Sequence, residues 1–218
     1  MRGRFAQIWK ELLSMNQKSV LTVTLLALFV AAFAPLASAK AKVGAMAPEF
    51  NVVDMNGKSQ KLPDFSGKYV VLEWLNYGCP FVGKQYGSGN MQSLQKEWTS
   101  RNVVWLSVIS SAPGQQGHTE SDKAKADYKS KGSHATTVLL DQNGIVGKAY
   151  GAATTPHMFI IDPTGKLIYN GAIDDKPTTD LADIKTAKNY VSAALTEAMA
   201  GKAISTPTSQ PYGCSVKY

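Results

Sequence analysis

Two cysteines are the residues of this chain whose type and setting best suit chemistry. Among 218 residues the only cysteines are Cys79 and Cys214. Cys79 follows the apolar run YVVLEW, residues 69–74, and directly precedes Pro80. Proline is favoured at the first helical position, so this stretch predicts a buried strand that leads into a helix beginning at Cys79. A thiol at a helix N-terminus gains thiolate character, because the helix dipole and the free N–H groups favour the anion.

The setting of Cys79 allows two interpretations. In the first, Cys79 is a reactive thiol that Pro80 and Phe81 partly shield, and Lys84 adds positive charge one helical turn further on. Val82 stands where an adjacent dithiol motif would hold its second cysteine, so this nucleophile would need a partner elsewhere. In the second, Cys79 is an inert, buried cysteine that packs as a small hydrophobic side chain. The strand before the thiol and the proline after it favour the first interpretation.

Cys214 lies in the ending PYGCSVKY, and three roles are open for it. It could resolve an oxidised Cys79 by closing an intramolecular disulfide. A permanent disulfide would instead be a structural staple, worth roughly 4–5 kcal/mol for a loop of this length. Third, Cys214 could stay free or pair between chains. Tyr212, Val216 and Tyr218 are apolar enough to predict that this tail packs against the domain.

The N-terminal part of the chain has the pattern of an export signal. Within residues 17–39, Lys18 precedes an apolar run at 20–34, and the small residues Ala-Ser-Ala at 37–39 form a cleavage site. The alternative is an uncleaved membrane anchor, but the run is short for a span of about 20 residues, and Pro35 interrupts it. The pattern predicts an exported protein, periplasmic or secreted, that contacts a membrane only if the segment stays uncleaved.

The remaining chain predicts one α/β layered domain. Apolar strand-like runs alternate with helical patterns, and a strand pair and a last amphipathic helix follow. We expect a signal peptide at 1–39, with an upstream extension at 1–14 if Met15 is the true start. The α/β domain is expected at 40–201, and a cysteine-bearing tail at 202–218.

Charge and composition exclude several functions. The net charge of +7 falls to +4 once the signal segment is removed, and the basic residues are scattered, so no nucleic-acid partner is predicted. The glycines at 87–89 have no Lys-Ser/Thr after them, so a phosphate-binding loop is unsupported. No cofactor is predicted, and the oligomeric state is left open.

Four stretches resemble the thioredoxin-fold redoxins of the alkyl hydroperoxide reductase and thiol-specific antioxidant family, which is related to the peroxiredoxins. GAMAPEF…DMNGKSQKLPDFSGKYVVLEW is similar to the entry segment of that family, and YGCPF stands at the place of its reactive cysteine. DQNGIVGKAYGA and TTPHMFIIDPTGKLIYNGAIDD are similar to the segments around its cis-proline. Together these stretches span most of residues 43–175.

The resemblance implies a thioredoxin-like fold, a central mixed β-sheet flanked by helices. The residues themselves predict the cysteine-bearing tail and a short N-terminal hairpin that turns at Asn56-Gly57. It implies a cis peptide bond between Thr155 and Pro156, which with Pro80 would shape the substrate groove beside Cys79. The leading hypothesis is a thiol–disulfide oxidoreductase in which Cys79 attacks and Cys214 resolves. Its partner would be a thiol or disulfide protein, or a small peroxide.

Two departures from the family pattern weigh against a peroxidase, which is the alternative activity. A peroxiredoxin has threonine or serine three residues before its cysteine, where this chain has Asn76. Beyond the signal segment the only arginine is Arg101, in a polar turn. Peroxide cleavage needs donors that stabilise the leaving oxygen. Asn76, Lys84 and His157 are the candidate stabilisers of the thiolate, although His157 could equally point away and pack.

A non-catalytic module is the rival class of function. Soft thiolate ligands together with His and Met suit Cu(I). The set for such a site would be Cys79, Cys214, His157 and Met158. The short spacing between cysteines that is typical of these sites is missing, so the oxidoreductase hypothesis is preferred and no metal is assigned.

Overall fold

The computed structural model describes residues 40–218. The predicted signal peptide, with its alternative interpretation as a membrane anchor, falls on residues 1–39 and lies outside this part. Within residues 40–218, every helix is too short or too polar to span a bilayer.

A five-stranded mixed sheet forms the centre of the domain. The strands of the chain are β1 (Asn51–Val53), β2 (Ser59–Lys61), β3 (Val70–Trp74), β4 (Val104–Ile109), β5 (Thr137–Leu140), β6 (Thr154–Thr155), β7 (His157–Ile161), β8 (Leu167–Gly171) and β9 (Cys214–Ser215). The central sheet has the order β5-β4-β3-β7-β8. Strands β3, β4 and β5 run parallel, and β7 and β8 are antiparallel additions. The predicted mixed sheet is confirmed.

The helices follow the strands as the hydrophobic pattern predicts. They are α1 (Pro80–Gly87), α2 (Asn90–Ser100), α3 (Ser121–Ser130), α4 (Ile145–Tyr150) and α5 (Tyr190–Met199), with 3-10 turns at Leu62–Phe65 and Leu181–Lys185. The segment Gly87-Ser88-Gly89 separates α1 from α2. Gly89 is the N-cap of α2, and its φ of +78° makes the bend that starts the helix.

The core has two parts, one on each face of the sheet. Alternate residues of β3 point to opposite faces, so Val71 joins one part, with Leu75 just after the strand, while Leu72 and Trp74 join the other. Helices α1, α2 and α5 cover the first face. The second face is covered by α4 and by the N-terminal segment, which packs Phe50 against it. Cys79 belongs to the first part.

Both edges of the central sheet are covered by other segments of the chain. On one side, β1 and β2 form the predicted hairpin, and a bridge between Asp54 and Leu139 joins it to β5. On the other side, a bridge between Asn170 and Thr208 places the start of the tail along β8. The tail then crosses to the loop before β7 and pairs there as β9.

Candidate active site

Cys79 occupies the N-cap of α1, and Pro80 is the first helical residue. The N–H of Cys79 donates to the carbonyl of Asn76 at 3.0 Å, and the carbonyl of Cys79 accepts from the N–H of Gly83 at 2.8 Å. The side chain is 1% exposed. The sulfur therefore lies at the positive end of the helix, as the strand–proline pattern predicted, and it is covered.

The loop before β7 supplies the opposite wall of the site. The peptide bond between Thr155 and Pro156 is cis, as the family resemblance implied. The sulfur of Cys79 lies 3.0 Å from the carbonyl oxygen of Thr155, which accepts a hydrogen bond from the thiol. Thr155 and Pro156 therefore lie beside Cys79, in the place expected of a substrate groove.

The tail brings Cys214 to this wall. Strand β9 pairs antiparallel with β6, and the register places Cys214 opposite Thr155. The N–H of Cys214 donates to the sulfur of Cys79 at 3.4 Å. Gly213 makes the approach feasible: its φ is +136°, and a Cβ there would lie 2.1 Å from the carbonyl oxygen of Thr155. No disulfide joins Cys79 and Cys214 in this structure, and the resolving and stapling roles of Cys214 stay predictions.

The two thiols have pKa values shifted in opposite directions. Burial raises the pKa of Cys79, but hydrogen bonds from the Cys214 thiol and from the N–H groups of Val82 and Cys214 outweigh it, so the pKa falls below its ordinary value of 9.0. The carbonyl of Thr155 accepts only from the protonated thiol and therefore opposes this ionisation. Burial, with the hydrogen bond and the charge of Cys79, raises the pKa of Cys214 to about 11. The lowered pKa of Cys79 suits a nucleophile, and the raised pKa of Cys214 suits a neighbouring proton donor.

Two tyrosines hold the tail on either side of Cys214. Before it, the hydroxyl of Tyr212 donates to a carboxylate oxygen of Asp174 at 2.5 Å. After it, the hydroxyl of Tyr218 donates to the carbonyl of Ala152 at 2.7 Å. The ring of Tyr218 lies so close to α4 that a Cβ on Gly147 would be 2.5 Å from it. The tail is therefore docked, as its apolar residues predicted.

The expected role of Lys84 at the thiolate is corrected. The ammonium of Lys84 donates to the carbonyl of Lys176 at 2.6 Å and lies 4.0 Å from the carboxylate of Asp174, with its side chain fully buried. A residue five positions after Cys79 lies more than one turn further on and faces a different side of the helix. Its positive charge is therefore used beside Asp174, whose carboxylate also accepts the hydrogen bond from Tyr212.

Asn76 also has a different task from the expected one. Its side-chain oxygen accepts from the N–H of Gly78 at 2.9 Å, and its amide donates to the carbonyl of Gln116 at 3.4 Å. Gly117 packs so tightly that a Cβ there would lie 2.5 Å from the Asn76 side chain. Asn76 thus shapes the loop that leads to Cys79, because its polar atoms are used by backbone groups.

His157 points away from Cys79, which corrects its candidate role as a thiolate stabiliser. Its Nδ1 accepts from the N–H of Ala153 at 3.1 Å, so Nε2 carries the proton and donates to Asn170 at 2.8 Å. The ring packs on Phe159, on the other face of the sheet from Cys79. Burial lowers the pKa of His157 to about 4, despite the hydrogen bond to Asn170. The imidazole is therefore neutral at pH 7.

The buried imidazole predicts a loss of stability in mild acid. Because the folded pKa of about 4 lies below the ordinary 6.5, the unfolded chain binds the proton first, and stability falls as pH drops through 6.5 towards 4. At pH 5 this term costs about 2 kcal/mol relative to pH 7.5. Urea unfolding at both pH values should show that His157→Gln removes this part of the pH dependence. Replacement of the exposed His134 by Gln should leave it intact, and equal slopes for both variants would contradict the prediction.

The structure does not assemble the copper set. His157 lies on the far face of the sheet, and Met158 is fully buried in the core beside β3. Among residues 40–218, no three His, Cys, Asp or Glu side chains are grouped closely enough to hold a metal ion. Cys79 and Cys214 alone remain together.

A buried carboxylate beneath the site was missed by the sequence reasoning. Glu73 lies in β3, is 0% exposed, and accepts four hydrogen bonds. The donors are Tyr86, Gln95, Trp105 and Ser107, at 2.8–3.0 Å. Burial raises its pKa although all four donors oppose the shift. The signal was available, since an acidic residue interrupts the apolar run YVVLEW.

The sheet order, the helix that starts at Cys79 and the cis-proline facing it together define a thioredoxin-like fold. The chain belongs to the AhpC/TSA family, whose profile matches residues 43–170. The fold and family predicted from the sequence are therefore confirmed.

Relatives and solved structures agree with this assignment. The chain is 29% identical over 129 residues to the thiol-disulfide oxidoreductase ResA of Bacillus thuringiensis, covering 59% of this chain and 69% of that protein. The ResA of Bacillus subtilis is 29% identical over 125 residues, or 57% and 64% of the two chains. A hypothetical protein of Sinorhizobium meliloti has the same fold, with a TM-score of 0.68 at 23% identity over 83% of this chain and 96% of that one. The predicted class of enzyme, a thiol-dependent oxidoreductase, is the class named for the two ResA proteins.

Proposed function

We propose that this chain is an exported thiol–disulfide oxidoreductase in which Cys79 is the nucleophile and Cys214 the resolving thiol. The contact between the two residues carries the proposal: the N–H of Cys214 lies 3.4 Å from the sulfur of Cys79, although the two are far apart in sequence. The family and the named activity of the relatives support the same class.

The chemistry follows from the two pKa shifts. The thiolate of Cys79 attacks a substrate disulfide, forms a mixed disulfide and expels a substrate thiolate, which takes the proton held by the Cys214 thiol. The resulting Cys214 thiolate attacks the sulfur of Cys79, forms the Cys79–Cys214 disulfide and releases the second half of the substrate as a thiolate, which takes a proton from water. Two electrons pass from the cysteine pair to the substrate, and an external thiol protein restores the pair.

The proposal keeps the predicted division of the chain. Residues 1–39 would be the export signal, 40–201 the redoxin domain and 202–218 the tail that carries the resolving thiol. Pro80, Thr155 and Pro156 would line the groove that receives the substrate. A periplasmic or secreted location fits a reaction with protein disulfides, which persist in oxidising compartments.

Peroxide reduction is the less favoured activity for this site. In residues 40–218 the only arginine is Arg101, which pairs with Glu97 at 3.3 Å and lies over the ring of Trp98. The polar atoms of Asn76 are taken by the loop. With neither group available to hold a peroxide, we expect slow reaction with hydrogen peroxide.

The test is the stoichiometry of reaction with an aromatic disulfide such as dithiobis(nitrobenzoate). The reduced chain should release two coloured thiolates and end with a Cys79–Cys214 disulfide, located by peptide mass mapping. Cys214→Ala should release one thiolate and retain the second aromatic group as a stable mixed disulfide on Cys79.

Two outcomes would contradict the proposal. One is a wild-type chain that ends with an aromatic group on each cysteine. The other is a Cys214→Ala variant that clears its mixed disulfide at the wild-type rate.

A further inference from the structure

The proposed nucleophile is covered by the chain itself. Cys79 is 1% exposed, and the segment Tyr212–Tyr218 lies over it. We call this segment the strap. A disulfide substrate must reach the sulfur of Cys79 in line with its own S–S bond, and no such approach exists while the strap is in place.

The strap holds the position that a substrate strand needs. Its Cys214 lies opposite Thr155 in an antiparallel pair, and Ser215 lies opposite Thr154. One residue further on, the N–H of Val216 donates to the carbonyl of Ala153 at 3.0 Å. The backbone groups beside the cis-proline are therefore already paired, with a cysteine of the chain itself against the reactive sulfur.

We propose that the strap is an autoinhibitory segment that must leave Thr154 and Thr155 before Cys79 can react with a protein disulfide. This inference rests on the proposed function and adds its regulation. An extended, cysteine-bearing peptide is the substrate that competes for the position, and the strap returns afterwards to bring Cys214 to the mixed disulfide.

The contacts of the strap suit an element that opens. Its strand is two residues long, and its side chains are half-buried or exposed, unlike the fully buried strands β3, β4 and β7 of the central sheet. Short, solvent-exposed pairings are the parts of a fold that open locally. The main fixed point after Cys214 is Tyr218, whose ring sits against Gly144 and Gly147, where a Cβ would lie 2.5 Å from it. The other contacts after Cys214 are two backbone hydrogen bonds, from the N–H of Val216 to Ala153 at 3.0 Å and from the N–H of Ala112 to the carbonyl of Lys217 at 2.7 Å. With Tyr212 before Cys214, these few contacts are what must break for the strap to open.

Gly213 offers a direct way to open the strap. A Cβ at this position would lie 2.1 Å from the carbonyl oxygen of Thr155 and 2.8 Å from its carbonyl carbon. These are backbone atoms that cannot move aside, so Gly213→Ala must displace the strap. Gly201→Ala is the matched control, because Gly201 also has a positive φ, +68°, and has no atom within 4 Å of the added carbon.

The experiment measures the access of reagents to Cys79 in a Cys214→Ser background, where Cys79 is the one thiol. Labelling rates are compared for iodoacetamide and for a maleimide that carries a long polyethylene glycol chain. Gly213→Ala should raise the maleimide rate at least about 10-fold, and more than it raises the iodoacetamide rate, because a covered site opens. Gly201→Ala should label as its parent does.

A second variant and a separate activity assay keep the result interpretable. Tyr218→Ala removes the aromatic ring that fixes the strap, without a backbone clash, and should raise the maleimide rate in the same direction, with an unchanged circular dichroism spectrum. If both variants are folded and react with the maleimide at the rate of their parent, the proposal that the strap covers Cys79 is wrong. Labelling of Cys79 does not require catalysis. A raised labelling rate without any disulfide reduction would therefore support the covering role of the strap and contradict the proposed oxidoreductase activity.

Discussion

Replacement of Cys79 by serine is expected to lower the rate of insulin disulfide reduction by roughly 1,000-fold or more, since the covalent step has no other suitable nucleophile. The serine hydroxyl is not ionised near pH 7. Cys214 cannot take over, because burial, the largest cause of its raised pKa, persists in this variant, and it sits on the strap and away from the helix N-terminus. Turnover at a fixed concentration of external thiol is the measurement.

The matched control is Cys214→Ser. This variant keeps the nucleophile and the backbone donor at position 214, so it should still attack a disulfide once and then stall as a mixed disulfide. The two cysteines are thus separated by where the reaction stops: before any covalent adduct for Cys79→Ser, and after it for Cys214→Ser. Full activity in Cys79→Ser would reject Cys79 as the nucleophile.

Replacement of Glu73 by alanine is expected to lower the free energy of unfolding by about 4 kcal/mol, because several buried donors lose their acceptor at once. The carboxylate is fully buried and accepts from the indole of Trp105 at 2.8 Å, the hydroxyl of Ser107 at 2.9 Å and the amide of Gln95 at 3.0 Å. The hydroxyl of Tyr86 is the fourth donor. Urea unfolding of the reduced proteins measures the loss.

Glu73→Gln separates the lost hydrogen bonds from the lost charge. Glutamine keeps one acceptor oxygen and the shape of the side chain, so its loss should be markedly smaller than that of alanine. Burial raises the folded pKa of Glu73 above 4.5, so the wild-type protein loses stability as pH rises from 4.5 through the folded pKa. Glutamine has no such term, and its stability relative to wild type should improve with rising pH. Equal losses for alanine and glutamine, without this trend, would contradict the prediction.

Local patterns predicted the part of the site that local physics determines. The run YVVLEW, followed by a cysteine and a proline, placed Cys79 at the junction of a strand and a helix, because β-branched burial and the first-turn preference of proline act within a few residues. The cis peptide bond before Pro156 was predicted from the resemblance to a family, because no local propensity indicates it.

The directions of side chains were the part that the sequence did not determine. His157 lies opposite Trp74 in the strand register, and both face away from Cys79, while Met158 faces towards it. A shift of one residue would have reversed this arrangement, so the role of His157 depended on a register that only the sheet sets. The direction of the Lys84 side chain is set by its ion pair with Asp174, which is distant in sequence, so this pairing could be seen only in the folded structure.

The tail was recognised as a docked segment, but not as the strand that meets Thr155. Its apolar residues predicted contact with the domain, yet β9 is only two residues long and carries no alternating pattern. Its position is set by long-range contacts, such as that of Tyr212 with Asp174. Gly213 gave a hint, since a glycine directly before the cysteine permits a backbone approach that any other residue would prevent.

The start of the tail has a second consequence, which concerns solubility. An uncovered edge strand offers free N–H and C=O groups to other molecules and promotes intermolecular β-sheet formation. Here the N–H of Asn170 donates to the carbonyl of Pro207 at 3.2 Å, and the N–H of Ser209 donates back to Asn170 at 3.2 Å. These bonds lie before the strap, so the strap can open while the edge of β8 stays covered. The tail thus separates access to the thiol from exposure of the sheet, and the protein can expose Cys79 without exposing an aggregation-prone edge.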